Sequence, residues 1–276
     1  RDAMQGLNEF ISTTQKADYL NSLIKVNFDM IDFGSFVSPK SVPQMRDTGD
    51  VVKLLNIKET TSLLSIVLNK QGADNASCFD EIQILGYPFS ISEVFQKKNS
   101  NKDIVSSLAV VDEIQNICIQ KNKTLLIYFS MAFGNPYGED WNKSILFDYI
   151  ESMKEKGVNI ISLADTIGNS SVESIQSVYS DAIYNFPELD IGLHLHSTPD
   201  ETYKKIQSAW NAGCRRFDVA INGYGGCPFA QDKLVGNIAT ETLLNFSAHN
   251  KIKHSLDLLA FENACNQAKD VFTRHY

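Results

Sequence analysis

Two histidines one residue apart, His194 and His196, close a run that reads as a β-strand from Asp190 to Leu193. Alternate strand residues face one way, so both imidazoles present to the same side and can grip one divalent cation. The spacing alone is a weak signal, because a strand histidine is more often a satisfied core or surface residue. Its company strengthens it: Arg1-Asp2, the run Ser162 to Thr166 with Asp165, the loop Gly225-Gly226-Cys227-Pro228, and Gly236-Asn237. Each of these falls where a strand runs out, which is where a β/α barrel builds its chemistry.

Asp2, His194, His196 and Asn237 together offer two oxygens and two imidazoles, with positions left over for water or substrate. Mixed oxygen and nitrogen donors favour Mg²⁺ or Mn²⁺ over a closed zinc site, without excluding Zn²⁺ or Co²⁺. Arg1 sets a guanidinium beside that ion, suited to an oxyanion developing on a bound carbonyl; the plainer reading is a surface ion pair. Cys227 is held between two glycines and a proline, rigidly over a site or on a lid, unless the loop is only a strand-to-helix turn. Asp165 is either a helix cap ahead of Ile167-Gly168 or a carboxylate that orients a catalytic histidine. Lys97, Lys98 and nearby Lys102 form the one notable basic knot, a solvated surface or a contact for a phosphate.

Period and punctuation give strands alternating with helices. The strand runs are Met30 to Gly34, Leu63 to Leu68, Glu81 to Leu85, Leu125 to Phe129, Asn159 to Leu163, Asp190 to Leu193 and Arg216 to Ala220. Helical patterns cover Lys16 to Lys25, Pro43 to Leu55, Ile91 to Lys121, Trp141 to Lys156, Val172 to Tyr184 and Pro199 to Ala212; Thr240 to Ala248 and Ser255 to Phe272 close the chain. Seven strands fall one short of a closed (β/α)8 TIM barrel. The expectation is that barrel as a single domain over residues 1–276, its first strand missing ahead of Arg1 and an extra helix at the C-terminal end.

With 276 residues, 43% hydrophobic and 21% charged, the chain can bury one large core. A net charge of -8 with no dense Lys/Arg stripe argues against nucleic acid as a partner, so a small molecule is expected. No apolar run reaches membrane-span length and no signal peptide opens the chain. Cys78, Cys118, Cys214, Cys227 and Cys265 are odd in number and lack zinc-knuckle or redox-pair spacing, which suits a reducing compartment. All but Cys227 read as small buried hydrophobes.

At this point the chain resembles the 3-hydroxy-3-methylglutaryl-CoA lyase family of metal-dependent barrel lyases along nearly its whole length. The matching stretches are Arg1-Asp2 with Gln5, Gly34 to Lys40 with Pro43-Gln44-Met45, Ser92-Glu93 with Phe95, Lys97, Lys98 and Asn99, Ser162 to Gly168, His194 to His196, Gly225 to Ala230, and Gly236-Asn237 with Thr240-Glu241. The Ser35 to Lys40 block and the Gly-Gly-Cys-Pro loop are specific, whereas the histidine pair is shared with related aldol and Claisen enzymes.

The resemblance implies retro-Claisen cleavage of an acyl-CoA, 3-hydroxy-3-methylglutaryl-CoA, into acetoacetate and acetyl-CoA, as in leucine breakdown. It implies Asp2, His194, His196 and Asn237 as ligands of Mg²⁺ or Mn²⁺, and Arg1, Asp32, Asp165, His194 and Cys227 in catalysis. Gln5, Ser35, Lys97, Lys98 and Asn99 would meet the substrate, the last three at the CoA phosphates. Three departures bear on rate: Asp32 stands where many relatives carry Glu, Ser197 replaces an Asp, and Asn135-Pro136 replaces a Cys-Pro. The rivals are a condensing relative of the isopropylmalate or homocitrate synthase type, which usually carries Glu-Arg at the Cys227-Pro228 position, and a catalytically silent barrel acting as a binding protein. The expected setting is the cytoplasm, or the mitochondrial matrix if a leader preceded Arg1; the oligomer considered is a homodimer.

Overall fold

The computed structural model describes residues 1–226 and 235–272. In chain order the first elements are α1 (Asp2–Gln5), α2 (Thr13–Val26), β1 (Met30–Ser35), α3 (Thr48–Val52), β2 (Ser62–Ile66), α4 (Lys70–Ser77) and β3 (Ile82–Ser90). Then come α5 (Glu93–Ser100), α6 (Ile104–Gln120), β4 (Thr124–Ser130), α7 (Lys143–Glu155), β5 (Ile160–Asp165) and α8 (Val172–Asn185). The series ends with β6 (Asp190–Ser197), α9 (Pro199–Asn211), β7 (Gly236–Asn237), α10 (Thr240–His249) and α11 (Leu258–Phe272). Short 3-10 turns stand at Pro43–Met45 and Ile221–Gly223.

The chain forms two compact units, one of Arg1–Gly86, Ile117–Thr124 and the segment from Ile252, the other of Tyr87–Asn116 and Leu125–Lys251. In the first, β1 and β2 pair in parallel, as do β2 and β3, and α11 packs on α2. In the second, β4, β5 and β6 pair in parallel, whereas β7 runs antiparallel to β6 with Asn237 opposite His196. Strand order in the sheet follows chain order. Leu63, Leu64, Leu126, Ile127, Ile161 and Leu163 are all fully buried, the near-continuous apolar runs that parallel strands covered on both faces require. Side-chain oxygens of Ser12, Asn69, Ser92, Asn142 and Ser171 accept from backbone N–H groups and so fix where five helices begin.

Several expected boundaries shift, each for a local reason. The helix read from Pro43 to Leu55 is a 3-10 turn followed by α3, because the Lys16 ammonium takes the Gln44 carbonyl and Thr48 Oγ1 takes that of Met45 at 2.8 Å. The long pattern from Ile91 to Lys121 splits at Asn101, whose φ of 56° is left-handed, and α6 restarts with Ser106 N–H donating to Asp103 Oδ1 at 2.7 Å. α4, with its modest apolar content, was not expected. The seventh strand, read at Arg216 to Ala220, amounts to two isolated bridges, Leu193 with Phe217 and Ala220 with Ala239; the strand beyond it is Gly236–Asn237. Cys118 and Cys214 are buried as expected, and burial pushes both thiols up to about 12. Cys78, by contrast, is exposed at the end of α4, its sulfur donating to the Asp74 carbonyl.

Candidate active site

Four expected residues of the first unit form one hydrogen-bonded group. Arg1 donates from Nε to Asp32 Oδ2 at 3.0 Å and from Nη1 to Gln5 Oε1 at 2.8 Å, and Gln5 Nε2 donates to Asp2 Oδ1 at 2.6 Å. The first turn of α1 places Asp2 and Gln5 three residues apart on one face, which brings their side chains together. The guanidinium plane is thereby fixed by a carboxylate and an amide. Asp32, on β1, keeps its second oxygen, Oδ1, buried and without a hydrogen-bond partner among the described residues. Ser35, at the end of the same strand, is buried, and its N–H donates to Thr48 Oγ1 at 3.2 Å.

In the second unit β6 delivers both imidazoles to one face, their rings 5.0 Å apart and nearly perpendicular. His196 is 3% exposed. Asn237 stands opposite it in register, with its amide nitrogen donating to the Tyr224 carbonyl at 2.8 Å. That bond leaves the amide oxygen as the end available to a ligand. His194 packs edge-on against Tyr128 of β4, ring centroids 5.6 Å apart, and its Nδ1 lies 3.3 Å from Asp218 Oδ2. A carboxylate this close to Nδ1 leaves Nε2 as the nitrogen able to meet a metal.

Asp218 is the site residue that sequence reasoning missed. The available signal was its alternation with Arg216 inside a run already read as strand, next to the strand of the histidines. Asp165, read either as a cap or as a carboxylate that orients a histidine, accepts from backbone N–H groups of the turn after β5. Asp165 is fully buried, with Oδ1 accepting from Asn169 N–H at 3.0 Å and Oδ2 from Ser170 and from Lys205 Nζ at 3.0 Å. Lys205, 4% exposed on α9, also donates to the carbonyls of Gly168 at 3.2 Å and His196 at 3.1 Å. Asp165 and Lys205 therefore tie the end of β5 to the end of β6. Gly168 belongs to the same turn: its φ is 74°, and a Cβ there would meet Val235 Cγ1 at 2.5 Å.

Lys97, Lys98 and Asn99 lie together on α5. Lys97 pairs with Glu93 at 2.8 Å on an exposed face, and Lys98 sits over the Tyr137 ring at 4.4 Å. Cys227 lies outside the described residues. Of the proposed donor set, Asp2 stands in the first unit while His194, His196 and Asn237 stand in the second. One carboxylate, two imidazoles and one amide oxygen are the mixed donors that suit an octahedral divalent ion.

The family model described as HMGL-like matches residues 1–267. The hydroxymethylglutaryl-CoA lyase YngG of Bacillus subtilis is 31% identical over 260 residues, 94% of this chain and 86% of its own. The crystal structure of the Bacillus subtilis HMG-CoA lyase superposes with a TM-score of 0.92 at 30% identity, covering 98% of this chain and 90% of that one. An HMG-CoA lyase from Acinetobacter baumannii, in complex with coenzyme A and 3-methylmalate, gives a TM-score of 0.91 at 28% identity over 99% and 88% of the two chains. The fold is therefore that of the TIM-barrel lyases, and the chain belongs to the HMGL-like family.

Proposed function

We propose that this chain cleaves 3-hydroxy-3-methylglutaryl-CoA to acetoacetate and acetyl-CoA, with Asp2, His194, His196 and Asn237 holding one divalent cation, Mg²⁺ or Mn²⁺. The observation that carries the reading is the imidazole pair on β6, one ring held by Asp218 and the other in register with Asn237, in a chain matched by the family from residue 1 to residue 267. Asp2, His194 and His196 supply a carboxylate oxygen and two ring nitrogens suited to such an ion. When bound, the cation acts as a Lewis acid that makes the tertiary hydroxyl of the substrate easier to ionise.

The reaction removes the proton of that hydroxyl, breaks the carbon-carbon bond to the thioester α-carbon, and leaves the electron pair on that carbon, which then takes a proton. Asp32 Oδ1 offers a buried carboxylate oxygen for the first proton. Arg1, its plane fixed by Asp32 and Gln5, faces the thioester oxygen, where negative charge grows; one preorganised donor of this kind is worth roughly 2.7–4 kcal/mol of barrier. Cys227 supplies the final proton. Ser35 orients the acyl chain, and Lys97, Lys98 and Asn99 on α5 meet the phosphates of CoA. Asp165 serves by holding the ends of β5 and β6 through Lys205.

The test is release of acetoacetate from 3-hydroxy-3-methylglutaryl-CoA with added Mg²⁺ or Mn²⁺ beside a chelator-treated control. Release confined to the metal-supplemented sample supports the reading; no release, or consumption of acetyl-CoA with a 2-oxo acid, overturns it. Cys227→Ala is expected to lower kcat by about 10²- to 10³-fold, the worth of a positioned proton donor, while Mn²⁺ affinity stays within about twofold. Equal loss of both would make Cys227 structural. Among the described residues no helix is long and apolar enough to cross a membrane. Cys118 and Cys214 are buried thiols, and the cytoplasm is the compartment that suits them, with the mitochondrial matrix as the alternative.

A further inference from the structure

Gly192 sits in the middle of β6, two residues before His194, and its backbone has no positive φ that would call for glycine. A glycine inside a strand weakens it and marks a close approach by something else. Here the approach is made by Arg216. A Cβ on Gly192 would lie 2.4 Å from Cζ, 2.6 Å from Nη1 and 2.8 Å from Nη2 of that side chain. The missing methyl is thus the space that admits a guanidinium.

That guanidinium is four-fifths buried and reaches in two directions. Its Nε donates to Asp190 Oδ1 at 3.1 Å, and its Nη2 to the Asp190 carbonyl at 3.2 Å and to the carbonyl of Ile161. Its Nη1, buried and without a hydrogen-bond partner among the described residues, lies 4.0 Å from Asp218 Oδ1, a charge contact rather than a hydrogen bond, while Asp218 Oδ2 lies 3.3 Å from Nδ1 of His194 and accepts from Ser162 Oγ at 3.3 Å. Burial works against the charge on Arg216 but is outweighed by Asp218 and Asp190, which hold it above the ordinary guanidinium value. The backbone keeps the order fixed: Leu193 N–H donates to the Arg216 carbonyl at 3.0 Å and Asp218 N–H to the Leu193 carbonyl at 2.9 Å.

We propose that Arg216 is a positioning residue: seated in the notch left by Gly192, it holds the Asp218 carboxylate on Nδ1 of His194 and so keeps the opposite ring nitrogen aimed at the cation. The inference rests on the reading of His194 and His196 as ligands. The alternative is that Arg216 only fastens β6 to β5 through Asp190 and Ile161. The two differ in what happens when the space is refilled without the charge.

The measurement is Mn²⁺ titration of the folded protein, followed by electron paramagnetic resonance, together with thermal melting. Gly192→Ala alone clashes with the guanidinium and lowers Tm; adding Arg216→Val returns Tm toward the parent, yet Mn²⁺ affinity stays about tenfold weaker. Arg216→Gln, with Gly192 kept, shows the same tenfold loss, and Arg216→Lys stays within about threefold of the parent. Asp218→Asn weakens Mn²⁺ by about 10- to 100-fold, and Arg216→Gln added to it changes the affinity by less than about twofold, because the arginine acts through that carboxylate. Parent-like affinity in folded Arg216→Gln, or losses that simply multiply in the double variant, overturns the proposal. His196→Ala separates the two levels: if it leaves Mn²⁺ affinity unchanged, the ligand reading itself falls.

Discussion

In His196→Ala, Mn²⁺ affinity is expected to fall by more than about 100-fold, beyond the loss typical of a residue that only supports a ligand, and turnover by about 10³-fold. The second figure follows from the several kcal/mol that a bound cation contributes when negative charge develops on oxygen, about 4 kcal/mol being a thousandfold in rate. The side chain is nearly fully buried beside His194, but the backbone of position 196 is secured independently by Lys205 and by pairing with Asn237. The variant should therefore melt near the parent while failing to bind metal. Asp2→Ala is expected to lose metal as well, with a further effect on Arg1, because Gln5 bridges Asp2 to the guanidinium. Undiminished Mn²⁺ affinity in both variants would remove the cation from these residues and with it the proposed chemistry.

How much of this was legible in the sequence depends on whether a residue's role is local. The period of two in a strand places His194 and His196 on one face whatever surrounds them, whereas the helical turn that gathers Asp2 and Gln5 is not expected from the sequence, which reads Arg1-Asp2 as the end of a strand and reaches Gln5 only through the family resemblance. Asp218 is different: its partner lies on another segment, and only the pairing of Leu193 with the Arg216–Asp218 backbone sets it against His194. Gly192 carried no signal in the strand run, because the side chain that fills its space, Arg216, comes from another segment. Lys205 reads as the second of two helix lysines, yet Lys204 is exposed and Lys205 is buried, because Thr202, Lys205, Ile206 and Ala209 share the inward face of α9. Helix breaks were hidden for a similar reason. Asn101 ends α5 through a left-handed backbone that other residues disfavour, and the break near Met45 is made by side chains of Lys16 and Thr48 that take helix carbonyls.

Lys205→Met is expected to destabilise the fold by about 3–5 kcal/mol, which at about 2–4 °C per kcal/mol amounts to a Tm lowered by roughly 6–20 °C. Methionine keeps most of the buried stem, so the loss is electrostatic: the side chain of Asp165 is 0% exposed and would be left charged without its counterion. The carbonyls of Gly168 and His196 lose a donor at the same time. Adding Asp165→Asn to Lys205→Met removes the orphaned charge, and it should restore a substantial part of the stability, because deleting both members of a buried pair is far less damaging than deleting one. Asparagine still accepts one of the N–H groups that Asp165 accepts from Asn169 and Ser170, so the turn after β5 retains part of its support. Chemical denaturation of the two single variants and the double variant measures the coupling. A Lys205→Met protein within about 1 kcal/mol of the parent would mean that water reaches Asp165, and that the ends of β5 and β6 are held by their backbone ladder rather than by this pair.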